Sequence, residues 1–206
     1  TYFKLGAGGQ GAILQGKFEL YKNQKIAILV GQQNGYAFTG SGGTFVVKYK
    51  SNPTNYEISD ILVIAGGGGG SHIDYTLETL DKHGQPEWVD EGSVRGLGGR
   101  AQHGPNAFTA RGTTGGAGLA PYASAGAGFE GDTPNGDNKA NGPNASSFID
   151  GGEGGEGGWP FLTNGGFGGG GGAAQTGAGG GGYSGGSGCA GWEGLYIAGG
   201  GGSYNS

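Results

Sequence analysis

Along the first third of the chain, apolar residues recur at every second position in short runs bounded by turn residues. Phe18 and Leu20 alternate with polar neighbours, Lys22-Asn23-Gln24 has turn composition, and Ile26, Ile28 and Val30 repeat the spacing. Together they predict a β-hairpin between Ala12 and Val30. Two more β-branched runs, Thr44 to Tyr49 and Asp60 to Ala65, flank the turn-rich stretch Ser51-Asn52-Pro53-Thr54-Asn55. With Tyr2 to Leu5 the pattern predicts about five strands, enough for part of a sandwich and few for a closed one. No long window keeps a helical period, so the expected class is all-β with almost no α-helix.

At Gly66 the alternation gives way to glycine runs interrupted by single aromatic or polar residues, and most of the 57 glycines among 206 residues lie beyond it. The chain reads as one module, residues 1–206, with mainly strands over 1–65 and glycine-rich helices and loops over 66–206. A flexible linker is rarely punctuated by aromatics, whereas here Phe108, Tyr122, Phe129, Phe148, Trp159, Phe161, Phe167, Tyr183, Trp192 and Tyr196 interrupt the runs. Collagen needs a sustained Gly-X-Y register and more than the 7 prolines present. An extended helix of about three residues per turn fits better, because its N–H and C=O groups point outward and, without Cβ atoms, such helices approach closely and bond to one another. Gly151 to Trp159 reads GGE-GGE-GGW, which would place Glu153, Glu156 and Trp159 along one solvated edge, about 9 Å apart, and leave the other faces bare. Runs 165–172 and 177–182 are expected to be central and buried. The glycines assigned to this lattice are Gly66, Gly67, Gly68, Gly154, Gly155, Gly168, Gly169, Gly170, Gly180 and Gly181.

Only 33% of residues are hydrophobic, which limits the chain to one modest side-chain core. A formal charge of -5, with 11 basic residues scattered singly, offers no stripe for phosphates, so nucleic acid is not an expected partner. The longest apolar run, Ile61 to Ala65, is too short to cross a bilayer, and no charged-then-apolar leader follows Thr1. The single cysteine, Cys189, excludes an internal disulfide framework; it reads as a small buried or unpaired thiol, or as an interchain disulfide partner.

Little of the remaining sequence spells out catalysis. Gly6-Ala7-Gly8-Gly9-Gln10-Gly11 matches a dinucleotide fingerprint in form, but strands rather than a helix are predicted after it. Gly16-Lys17 is followed by Phe18 and completes no P-loop. His72, His83 and His103 lack the spacing of zinc ligands, and no Ser or Cys sits in a nucleophile elbow. Asp132, Asn135, Asp137 and Asn138 form an oxygen-rich stretch that turn chemistry explains as well as calcium does. Asn144-Ala145-Ser146 is an N-glycosylation sequon, with Asn144 the candidate acceptor. No catalytic residue, cofactor or metal site is expected.

The segments Gly16 to Lys22, Ile28 to Gln33, Leu62 to Gly69, Gly165 to Gly172 and Gly179 to Tyr183, in that order, resemble the extracellular glycine-rich domain of the anaplastic lymphoma kinase and leukocyte tyrosine kinase receptors. The resemblance covers most of the chain and is weakest over 71–164. It implies an incomplete TNF-like jelly-roll sheet with an inserted bundle of polyglycine-II helices. The chain departs from that family in lacking its several cysteines, and no closing strand is evident at its end, so an unfilled sheet edge is expected. The expected role is a non-enzymatic extracellular or cell-surface module, structural or adhesive, whose partner is another copy in a fibre or matrix. Alternatives are a receptor-type ectodomain that binds an extracellular protein, and a phage tail-tip adhesin with contact loops at 98–105 and 133–143.

Overall fold

Alternating apolar residues build a sheet whose inner face needs something to cover it, and here the glycine-rich part supplies the cover. The computed structural model describes residues 9–36, 38–71, 115–118, 123–133, 144–158, 162–173, 176–189 and 198–206. Within them lies a 4-stranded sheet of order β1-β2-β3-β4, formed by β1 (Ile26–Leu29), β2 (Thr44–Lys48), β3 (Ile61–Ala65) and β4 (Tyr204–Asn205). All neighbours are antiparallel, with Ile28 opposite Val46, Val46 opposite Val63 and Ile64 opposite Tyr204. The described residues contain no α-helix; two 3-10 turns, Pro53–Asn55 and Ile58–Asp60, join β2 to β3. No described helix is long and apolar enough to cross a membrane.

Side chains alternate across the sheet as its pleat requires. Phe45, Val47 and Ile64 point inward with Ala27, Leu29 and Tyr204, and they pack against Phe129, Phe148, Ile149 and Tyr183 from the glycine-rich part. The aromatic rings interlock: Phe129 stacks on Phe148 at 5.2 Å between centroids, and Tyr56 meets Phe129 edge-on at 6.0 Å. This seam is the main side-chain core, in keeping with the low hydrophobic content.

Two strand expectations need correction. The turn at Lys22–Asn23 forms, with Gln24 N–H donating to the Tyr21 carbonyl at 3.0 Å, but the segment before it is not a strand and the predicted hairpin is absent. β1 pairs with β2 instead, because β2 brings Phe45 and Val47 to the core beside Ala27 and Leu29, which Phe18 and Leu20 cannot match from a charged stretch. The C-terminal edge of the sheet is not unfilled either. Tyr204–Asn205 adds to β3, anchored by Gly66 N–H donating to Ser203 Oγ at 3.0 Å and Ser206 N–H to the Leu62 carbonyl at 3.2 Å. The predicted strand at Tyr2 to Leu5 lies outside the described residues.

Outside the sheet, backbone hydrogen bonds repeat every third residue instead of every second. Ala178, Gly179 and Gly180 donate in turn to the carbonyls of Phe38, Ser124 and Gly199, and Gly181, Gly182 and Tyr183 donate to Ser41, Ala127 and Gly202. Successive residues therefore face different neighbours. On the acceptor side, Gly70 and Gly67 donate to Ala178 and Gly181, so that segment runs the opposite way. The first part of the chain contributes too: Gly9 and Ala12 donate to the carbonyls of Gly69 and Gly66, and Gly40 and Gly43 to those of Gly171 and Gly168. Strands and glycine segments thus interleave in sequence as well as in space.

Candidate functional site

The glycine lattice itself is the most constructed feature of the molecule. Residues 176–189 are all buried. A Cβ added at Gly180 would overlap the Gly67 carbonyl; at Gly66, the Gly201 carbonyl; at Gly67, that of Ser41; and at Gly68, that of Gly9. Gly154, Gly170 and Gly181 would likewise strike the carbonyls of Gly165, Gly40 and Gly168, while Gly155 donates to Gly170 and accepts from Gly165. Among the described residues, Thr163 Oγ1 is the buried side-chain polar atom left without a partner.

The GGE-GGE register has one packed glycine face and one open one: Gly152, Gly155 and Gly158 are buried, Gly154 and Gly157 half-buried and Gly151 exposed, and Glu153 and Glu156 are exposed. Trp159 lies outside the described residues. Run 177–182 is buried throughout, but run 165–172 is not a single straight segment. It turns at Phe167–Gly169, where Gly168 and Gly169 have φ of 102° and 79° and Phe167 is turned out to 40% exposure. A backbone in that region favours glycine, which a uniform glycine run supplies without marking where.

Candidate chemistry stays dispersed. Among the described residues no group of three or more His, Cys, Asp or Glu is placed to hold a metal ion. Asp132 accepts from Ser147 N–H at 2.6 Å, while Asn135, Asp137 and Asn138 lie outside the described residues, as do His72, His83, His103 and nearly all of the two proposed adhesin loops. Gly9 and Gly11 of the fingerprint lie against Gly69 and Gly66, and no helix follows them. Asn144 is half-buried, and the next residue, Ala145, is buried with its carbonyl accepting from Thr133 N–H at 3.1 Å. An open cleft of about 190 Å³ beside Gln32, Gln33 and Thr44 is lined largely by main chain, and its described lining holds no titratable side chain.

Cys189 is buried, and desolvation pushes its thiol up to about 12, against a smaller opposing effect from the backbone at Gly177. We expect the native thiol to resist alkylation at pH 8 and to react fully in denaturant; rapid native labelling would show that this part of the lattice is open. Because the folded value lies above the ordinary 9.0, stability should fall as pH rises from 9.0 toward 12. Tyr183 acts in the same direction, its phenol raised by burial, then by Glu130 and Tyr204.

The outer side of β1 is an open edge of the sheet among the described residues. Just before β1, Tyr49 N–H donates to the Lys25 carbonyl at 2.9 Å, which makes Ala27 and Leu29 the residues of β1 that bond to β2. Ile26, Ile28 and Val30 therefore turn their N–H and C=O groups to the free edge. Their side chains are also 40%, 59% and 63% exposed. No protein-family model matches the chain, and no curated protein matches it either.

Proposed function

We propose that the chain is a non-enzymatic extracellular structural module, a self-assembling building block of a surface fibre or matrix. In this reading the glycine segments are a bundle of polyglycine-II helices and the sheet is an incomplete TNF-like jelly roll lying on it. The observation that carries the reading is the bond series of residues 178–183, directed in turn to the segments at Phe38, Ser124 and Gly199 and then repeated three residues on. Such a block is cross-linked by main chain in several directions, so it resists bending about any axis and needs few side chains for its own integrity. That is a mechanical property, suited to a repeating unit. The resemblance to receptor glycine-rich ectodomains supports the extracellular setting.

The test is electron microscopy of native material beside light scattering of the isolated chain over a wide concentration range. Regular filaments, or a mass that rises above that of one chain with concentration, are expected. A monomer at every concentration would reject the building-block role. It would favour the second reading, a ligand-binding ectodomain, for which Tyr21, Tyr36, Tyr49 and Phe167 are exposed aromatic contact side chains among the described residues.

A further inference from the structure

The geometry points to the free edge of β1 as the joint through which a second copy of this chain adds, antiparallel and about a two-fold axis at Ile28. The inference rests on the self-assembling reading above and names its contact. Three observations converge on these residues. Ile26, Ile28 and Val30 present main-chain groups that are unpaired among the described residues at the sheet edge. The same residues carry exposed apolar side chains. Residues 26–30, Ile-Ala-Ile-Leu-Val, include no charge, proline or glycine of the kinds that guard natural edges.

The occupant follows from register. Only outward-facing residues can exchange bonds across the new seam, so the allowed pairings match members of the set Ile26, Ile28 and Val30 with one another. Setting Ile28 opposite Ile28 of the second copy brings Ile26 against Val30 twice and satisfies all the outward groups, about six hydrogen bonds. A shift by two residues in either direction strands a third of them. In the centred register Lys25 meets Gly31 of the other copy, and Gln24 meets Gln32, so like charges are kept apart along the seam. An unrelated strand would lack this self-matching, and the lysines at Lys22 and Lys25 would have to find carboxylates. The seam is short and buries less than the about 1,200 Å² of a standard interface, so pairing should appear in the micromolar to millimolar range rather than below it. Being two-fold, it closes at a pair; a fibre would need a second, different contact.

The experiment is sedimentation of the full chain from about 1 µM to about 1 mM, with amide hydrogen exchange measured at both ends. We expect a monomer–dimer equilibrium, with Ile26, Ile28 and Val30 amides gaining at least about tenfold protection at high concentration while the exchange of Ala27 and Leu29 changes little. Ile28→Lys sets two cations face to face and should weaken the dimer at least about a hundredfold without changing the unfolding midpoint. Should that variant misfold, the wild-type exchange pattern still decides. A monomer at 1 mM with no filaments overturns both this joint and the building-block reading. Dimers or filaments in which the three amides stay unprotected overturn the joint alone, as does an Ile28→Lys dimer of wild-type affinity.

Discussion

Gly180→Val should leave the chain without a cooperative unfolding transition. Its Cβ would have to enter space filled by the Gly67 carbonyl, with Gly68 behind it, and none of these is a side chain that can swing away. Separating the segments also breaks the bonds from Gly180 to Gly199 and from Gly67 to Gly181 inside a fully buried region, leaving donors and acceptors without water. Overpacking of about 1–3 kcal/mol and at least two orphaned groups at about 1–3 kcal/mol each approach the whole stability of a domain. Gly169→Val should be nearly as severe for another reason: φ there is 79°, and the added atoms would crowd Ala127 Cβ at 3.1 Å. Gly35→Ala is the control, since nothing lies within 4 Å of its would-be Cβ, and its melting curve should match the parent. Thermal unfolding followed by circular dichroism reads all three. Wild-type curves for both valine variants would mean that the glycines are not packed against main chain.

The second large effect is expected at the seam between sheet and lattice. Phe129 is fully buried, stacks on Phe148 and lies 6.5 Å from Phe45 of β2, while its N–H donates to Tyr183. Phe129→Ala keeps that backbone bond but opens a cavity where the two materials meet, at a cost of about 3–5 kcal/mol. Phe148→Ala, at a half-buried position on the same stack, should cost less. Urea unfolding gives both values. A loss below about 1 kcal/mol at Phe129 would mean that the sheet does not rest on the lattice through this cluster.

What was legible in the sequence divides along physical lines. A period of two marked β1 through Ile26, Ile28 and Val30, although these are its exposed set and Ala27 and Leu29 face the core, while β-branched composition marked β2 and β3. That same alternation says nothing about which strand lies next door, so the hairpin with Phe18 and Leu20 was read where β1 pairs with β2. β4 was missed because two residues carry no period; Tyr204 is held by register to Ile64 and by Ser203 bonding to Gly66. In the glycine part, the spacing of Glu153 and Glu156 revealed the repeat because side chains marked it. The turn at Gly168 and Gly169 was hidden because glycine follows either hand of φ equally well, and a run of it encodes no corner. The open edge of β1 was equally silent, since it depends on what does not pair rather than on what is written.

The donors of residues 178–183 reach back to Phe38 and Ser124 and forward to Gly199 and Gly202. Threads so far apart along the chain must all be present before the central one is surrounded, and closing such loops precedes the reward of any bond. A growing polypeptide therefore cannot assemble this interior stepwise as it leaves the ribosome. It must wait until about Gly202 has emerged, and β4 closes only after that. Whatever machinery handles the newborn chain meets the segments from Phe38 to Gly199 before their lattice can close, and a chain stopped short of Gly199 would lack one of the three threads around residues 178–183.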